Sequence, residues 1–246
     1  MKEQTLRNYA KLIVRSGINV VPQQMVVIRT APVQLKFVEM LAEECYEAGA
    51  SRVHVEWEYQ PLKKLAIKYQ SLETLSEVAK WQEEKMKYAC EKLPAMIYLS
   101  SEDPDGLKGI DAGKWAAAQQ ASYKIMKPYS DEMDNKYQWC IAAVPGREWA
   151  AKVFPGLSEA EAEEKLWEQI LFCSRADGPN PIEAWEEHNR ELHRRCSWLN
   201  SLKLRRLIYK SESTGTDFTV GLIPQMNFCG GSDMLPNRGV ILMSRL

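Results

Sequence analysis

Residues 25–57 read MVVIRTAPVQLKFVEMLAEECYEAGASRVHVEW, and the change of apolar period along them decides the fold class. Val20 to Ile28 reads as a strand interrupted by Pro22. Phe37, Val38, Leu41, Ala42 and Cys45 then recur at helical spacing; Pro32 suits the first turn of that helix and Gly49 the left-handed residue after its last. Val53, Val55 and Trp57 alternate with His54 and Glu56, the pattern of a strand with one wetter face.

The same alternation extends in both directions. Upstream, Leu6, Tyr9, Leu12 and Ile13 share a helical face that stops at Gly17. Downstream, Leu72 to Leu93 predicts one long charged helix, and Ala95 to Leu99 is an apolar strand closed by Ser-Ser-Glu-Asp-Pro-Asp-Gly. After a turn at Asp103 to Gly109, Trp115 to Met126 predicts a helix ended by Pro128, and Trp139 to Val144 a strand ended by Pro145-Gly146. Strands separated by helices need crossover connections, so residues 1–156 are expected to form an α/β layered domain, a mainly parallel sheet flanked by helices.

Residues 157–246 differ in kind. Ser158 and Glu161 write a capping box for a helix carrying Leu166, Trp167, Ile170 and Leu171. The turn Asp177 to Pro181 starts a second helix that aligns Ile182, Trp185, Leu192, Cys196 and Leu199. From Ser158 to Cys196 there are ten acidic and five basic residues, the composition of solvated helix faces. Leu204 to Tyr209 and Phe218 to Leu222 flank a Ser-Thr-Gly-Thr turn as a hairpin, so the stretch is a helical segment plus a C-terminal extended hairpin.

The 246 residues carry 32 Lys plus Arg against 33 Asp plus Glu, which leaves no basic field to draw in nucleic acid. No stretch approaches the roughly 18 apolar residues of a spanning helix, and the start lacks a signal-peptide core, so the expectation is a cytoplasmic protein with no membrane or nucleic-acid partner. The six cysteines stand apart with no C-x-x-C, consistent with free, mostly buried thiols in a reducing compartment.

Chemistry is sparse. Neither G-x-G-x-x-G nor G-x-x-x-x-G-K-S/T occurs, and Gly109-Ile110-Asp111-Ala112-Gly113-Lys114 has the wrong glycine spacing for a phosphate cradle. G-x-S-x-G and H-E-x-x-H are also absent. Of three histidines, His54 has no second ligand at a useful spacing, and His188 and His193 lie about 140° apart on their helix, so they do not hold one ion together. His188 follows Trp185 by one turn and reads as a hydrogen-bonded structural histidine, an interface or substrate contact, or, least favoured, a metal ligand. Asp217, beside the turn at Gly215, reads either as a carboxylate satisfying backbone N–H groups or as a catalytic acid.

One set of motifs is specific in combination. Tyr9-Ala10 through Gly17-Ile18-Asn19, Gly49-Ala50 before Val53-His54-Val55, and Asp103-Pro104 through Gly109-Ile110-Asp111 are followed by Ala143-Val144-Pro145, Trp149-Ala150 and Val153-Phe154-Pro155. Leu166-Trp167-Glu168-Gln169-Ile170, Ala184-Trp185-Glu186-Glu187-His188, Leu199-Asn200 and Gly215-Thr216-Asp217 complete the series. In this order the chain resembles the amino-terminal portion of the thermophilic metallo-aminopeptidase family, of the aminopeptidase T and aminopeptidase S type.

The resemblance implies two divalent metal ions, zinc, cobalt or magnesium, that activate water against the amino-terminal peptide bond. It implies peptide substrates and a homodimer. The family's ligands, two Glu, two His and an Asp with a nearby Tyr, belong to the second half of its pattern, so no metal and no catalytic residue is expected on this chain. After Gly239-Val240 the family pattern would run into an Asn-x-Pro-Thr-Glu-Glu motif, where this sequence has Ile241-Leu242-Met243-Ser244-Arg245-Leu246. The expected function is therefore the amino-terminal part of a metal-dependent aminopeptidase, inactive alone, with residues 157–246 beginning an incomplete second domain. Trp185, His188 and Asp217 are its substrate-cavity or interface candidates. Two alternatives stand beside it: a non-catalytic peptide-binding or scaffold domain, and a small-molecule enzyme using Asp217 and His188.

Overall fold

The computed structural model describes residues 3–230, Ser232 and the backbone of Met243–Arg245. Four strands, β1 (Met25–Thr30), β2 (Arg52–Trp57), β3 (Ala95–Ser100) and β4 (Trp139–Ala143), lie parallel in the order β2-β1-β3-β4. All four match the sequence expectation to within two residues at either end, except that the Val20 to Ile28 run becomes strand only from Met25. Ahead of it, Gln24 N donates to Val21 O at 3.0 Å and Gln23 sits at φ 66°, a turn that Pro22 helps to fix.

The first helix, α1 (Glu3–Leu12), runs into one wider turn, Ile13–Gly17, where Ile18 N donates to Ile13 O at 2.9 Å. Then come α2 (Leu35–Glu47), α3 (Gln60–Tyr69), α4 (Leu72–Ser76), α5 (Lys80–Lys92), α6 (Ala112–Met133), α7 (Arg147–Val153), α8 (Glu159–Cys173) and α9 (Pro181–Ser201). The strands β5 (Arg206–Ser211) and β6 (Thr216–Gly221) pair antiparallel as the expected hairpin. The backbone of β7 (Met243–Arg245) pairs parallel with β4, while the rest of the 241–246 ending lies outside the described residues.

Several boundaries differ from the sequence reading. Leu72 to Leu93 is two helices: Ser71 Oγ caps α4, Glu77 turns extended, and the Gln82 side chain accepts from Ala79 N at 2.8 Å to restart α5. Helix α6 does not stop at Pro128. The missing N–H costs one helical bond, but Cys90 Sγ donates to Tyr129 O at 3.5 Å and Met133 is buried, which anchors the helix beyond the proline. Pro32 lies in the loop before α2, whose N-terminal flank is Gln34 in a left-handed conformation. Helix α3 was not anticipated. None of the six cysteines forms a disulfide, but only Cys45 and Cys140 are buried, so the expectation of mostly buried thiols is corrected. The Ser158–Glu161 capping box forms as written, with Ser158 N donating to Glu161 Oε2 at 3.0 Å.

The core lies on one face of the sheet. Val26 and Ile28 of β1, Ile97 of β3 and Cys140 and Ala142 of β4 meet Leu12 and Ile13, Phe37 and Leu41, and Leu166, Trp167 and Leu171 of α8, with Trp185 of α9 in the same cluster. Tyr9 is fully buried, stacks on Phe37 at 5.4 Å and meets Trp167 edge-on at 6.2 Å. Its hydroxyl donates to Ala143 O at 3.1 Å and accepts from Ala143 N at 3.2 Å. At the other end of the sheet Gln24 and Gln138 exchange amide bonds of 2.8 and 3.1 Å, satisfying two buried polar side chains with each other.

Tyr9→Phe keeps the ring and strands the Ala143 backbone groups, so it should cost about 1–3 kcal/mol. Denaturant unfolding of the two chains checks this. A loss below about 0.5 kcal/mol would show that water reaches Ala143 and takes over the bonds.

Candidate functional site

Strand order places a cleft before any side chain is considered. The chain leaves β1 for β2 on one side, then crosses β1 to place β3 on the other, so the loops after β1 and β3 diverge and open a crevice at the strand ends. A cleft of about 640 Å³ occupies this position, lined by Thr30 to Val33 after β1 and Ser100 to Asp103 after β3, with the start of α3 across its mouth.

The walls are held by backbone. Val33 N donates to Ala31 O at 2.8 Å, and Glu58 N, just past β2, donates to Thr30 O at 2.8 Å. The β3 loop is folded on itself by Gly106 N to Asp103 O at 3.0 Å and Asp105 N to Asp103 Oδ1 at 2.9 Å. Gln60 of α3 donates to Asp103 O at 3.2 Å and bridges the two sides. Gly146 sits behind this loop, where a Cβ would lie 2.1 Å from the Ser101 carbonyl oxygen, so only glycine lets the β4–α7 turn approach the β3 loop.

Charge in the cleft is mixed. Arg29 pairs with Glu56 at 3.0 Å and Glu58 at 3.4 Å and lies 5.5 Å from the Tyr98 ring centre. Burial opposes its charge, but Glu56 and Glu58 more than offset this and raise its pKa. Lys63 reaches Glu58 at 3.8 Å, while Lys64, Glu102 and Glu148 also line the opening. Ser101 Oγ is buried with no hydrogen-bond partner. Such a cleft offers backbone groups, one idle hydroxyl and charges of both signs, a binding surface suited to a polar chain.

The candidates from the sequence lie elsewhere. Trp185 and His188 come together on α9, rings 5.1 Å apart, with the Arg175 guanidinium 5.9 Å from the indole centre. Trp185 Nε1 and Asn189 Oδ1 are buried there without partners. Asp217 is on the hairpin, where it pairs with Lys210 at 3.2 Å across the strands, so its carboxylate is engaged by a side chain and not by the turn's N–H groups. Asp217 is paired with Lys210 and His188 lies against Trp185, and no hydrogen bond or ion pair joins Asp217 to His188 among the described residues. His193 Nε2 lies 2.9 Å from Ser232 O, and His54 lines a different cavity.

Among the described residues no three His, Cys, Asp or Glu side chains converge to hold a metal ion. The described residues do not fit a metal centre, and no step of chemistry through a metal is derived from them. No described helix is long and apolar enough to cross a membrane. The cleft itself was missed by motif reading because its residues are ordinary; the usable signal was the end of each strand in the α/β alternation.

Comparison with known proteins puts this geometry in context. The family model of thermophilic metalloprotease (M29) matches residues 2–243. The chain is 33% identical to aminopeptidase AmpS of Bacillus subtilis (strain 168) over 99% of its own length and 59% of that protein's. It is 36% identical to aminopeptidase T of Thermus thermophilus over 94% and 56%. The solved structure of wild-type AmpT from Thermus thermophilus superposes with a TM-score of 0.86 at 32% identity, covering 99% of this chain and 59% of that one. The chain thus spans less than two thirds of the length of the relatives it matches.

The α9 site gives a pH expectation. Burial, then Arg175 and Arg195, lower the pKa of His188 below its ordinary 6.5. The fold therefore favours the neutral ring, and its contribution is intact above pH ~6.5 and lost as pH falls through the lowered value. Between about pH 7 and 5 the melting temperature of the native chain should drop relative to His188→Gln, by a small amount because the ring is largely solvated. A difference between the two that stays constant over this range would remove His188 from the pH response.

Proposed function

The chain belongs to the thermophilic metalloprotease (M29) family, and from that premise we propose that it is the amino-terminal part of a metal-dependent aminopeptidase releasing amino-terminal residues from peptides. The observation that carries the reading is the match along nearly the whole chain to aminopeptidases of which it covers 56% to 59%. The ligands for two divalent ions, zinc, cobalt or magnesium, then belong to a second half outside these residues. Residues 1–156 supply the sheet of the layered domain, α8 and Trp185 of α9 complete its core, and the rest of 157–246 leads into the second. The protein works in the cytoplasm as a homodimer.

In this reading the residues present bind and position the substrate. The switch-point cleft receives the peptide chain against the Thr30 and Ser101 loops, and Gly146 fixes the spacing of those loops. Trp185, His188 and Asp217 serve as interface or cavity-rim residues. The alternative of a peptide-binding or scaffold domain without catalysis draws on one observation, the buried core that α1, α2 and α8 close over the sheet with no further chain.

Activity separates the parts of the proposal. The 246-residue chain should show no turnover of amino-acid anilides with added cobalt or zinc, whereas a chain extended to include the expected Glu, His and Asp ligands should hydrolyse them in a chelator-sensitive way. Chelator-sensitive hydrolysis that co-purifies with the 246 residues would place the catalytic centre inside them and overturn the assignment. An extended chain that binds peptide yet stays inactive would favour the scaffold reading.

Association is the second test. Ile208, Phe218, Val220 and Ile223 are exposed on and beside the hairpin, as are Trp198 and Leu202 at the end of α9. A surface of this kind drives self-association or dye binding. Light scattering should find oligomers that Ile208→Lys with Phe218→Lys disperses, and a monomer with no dye binding would favour the self-contained binding domain.

A further inference from the structure

The face of the sheet turned away from the core is covered very differently. Val26 and Ile28 point into the cluster described above, so the alternate residues Met25, Val27 and Arg29 face α5 and α6. Val27 and Met96 are buried beneath these helices, but the helices themselves stay mostly exposed. Helix α5 buries none of its residues and α6 only Ala118 and Met133. A cavity of about 750 Å³ remains between the layers, and it shares Arg29 and Tyr98 with the switch-point cleft.

The cavity opens to solvent past the exposed Lys85, Tyr88 and Asp131, so the space holds water or a guest. Its lining favours a guest with an apolar body: Met25, Met86, Met96, Met126 and Met133 all border it. Thioether chains deform to fit variable shapes and are common at adaptable binding surfaces. The volume lies within the range of small-molecule sites.

Charge gives the guest its polarity. On the β2 wall Glu56 is shared by Arg29 at 3.0 Å and Lys85 at 2.7 Å. Arg52, on the same wall and largely exposed, has no ion-pair partner among the described residues. Across the cavity, on the α6 side, Asp131 pairs with Lys127, and Asp134 keeps its negative charge while accepting, among the described residues, only from Asn135 Nδ2 at 3.2 Å. The wall with spare positive charge is therefore that of β2 and α5.

We propose that this cavity binds an anionic amphiphile, an apolar chain or ring ended by a carboxylate, with the carboxylate toward Arg52 and Lys85. A fatty acid and an apolar peptide with a free carboxyl end share this chemistry. The proposal does not depend on the peptidase reading, and none of its readouts is enzymatic activity.

Calorimetry and thermal melting of the 246-residue chain test it with decanoate, N-acetyl-leucyl-leucine, decanol and decylamine. One carboxylate or both should saturate a single site and raise the melting temperature, and decylamine should not. Decanoate alone identifies a lipid-derived acid as the guest; the dipeptide alone identifies a peptide carboxylate. Arg52→Gln with Lys85→Gln should weaken the carboxylate at least about tenfold and change decanol by less than about twofold. Ala89→Phe on half-exposed α5 and Met96→Phe in the floor should each block binding; the first keeps the test alive if the second does not fold. No saturable carboxylate binding, equal binding of decylamine, or undiminished binding in a filled variant that melts like the native chain would overturn the proposal.

Discussion

One phenol closes the fold. Beyond Trp139 to Ile141, where β7 pairs, the outer side of β4 reaches Ala143, and there both backbone groups are taken by the Tyr9 hydroxyl. The bond spans 134 residues of sequence and ties α1 to the last strand of the four. Burial pushes the Tyr9 phenol pKa well above its ordinary 10, so the donor persists at any pH the fold survives. The same ring stacks on Phe37 of α2 and meets Trp167 of α8. Trp167 Nε1 donates in turn to Gln34 Oε1 at 3.3 Å, and Gln34 Nε2 donates to Pro145 O at 3.3 Å. Three helices and the ends of two strand loops are thereby fixed by one connected group. Since Ala31 to Val33 precede Gln34, the network also sets one wall of the cleft.

The two faces of the sheet follow different rules. The Tyr9 face is packed with aromatic and branched side chains and specifies a single arrangement. The opposite face carries methionines and the Arg29–Glu56–Lys85 group beneath a helix layer that stands off. Glu56 shows the cost and its remedy: burial raises its pKa, but hydrogen bonds and charge from Lys85 and Arg29 outweigh that and lower it. At the meeting point of cleft and cavity, Glu56 is thus kept charged between two cations, while Arg52 beside it has no ion-pair partner among the described residues. Stability is concentrated on one side of the sheet and adaptability on the other.

Strands, the capping box at Ser158 and the hairpin were legible in the sequence because each is written locally, by alternation, by a Ser with Glu three residues on, or by a Gly turn. The breaks were not. Nothing at Glu77 to Ala79 resembles a terminator, and the two helices separate there because the Ser71 hydroxyl and the Gln82 side chain satisfy backbone groups at either side. Pro128 looks like a terminator, but tertiary anchoring of Tyr129 and Met133 outweighs the lost bond. The family resemblance was legible through many short motifs in order, while the cleft depends on strand order, which no window of sequence contains. Asp217 invited a local reading, and its partner proved to be Lys210 on the neighbouring strand.

The hairpin stands apart from the packed core of the described residues. A two-stranded ribbon is marginal in water unless a face is covered. In β5 and β6 the stacked pair Tyr209 and Phe218 lies 4.9 Å apart and both rings are exposed, with the exposed Val220 on the same face. The segment that follows returns to α9, where Asn200 exchanges bonds of 2.9 and 2.7 Å with the Phe228 backbone, so the ribbon is held at its base and bare along its length. Burial of such a face is worth roughly 25 cal/mol per Å², a strong pull toward any matching surface. The layered core needs no such partner, since its aromatic group is already closed. The hairpin is therefore one uncovered apolar surface of the described residues, on the segment that the proposed function sends toward a second domain.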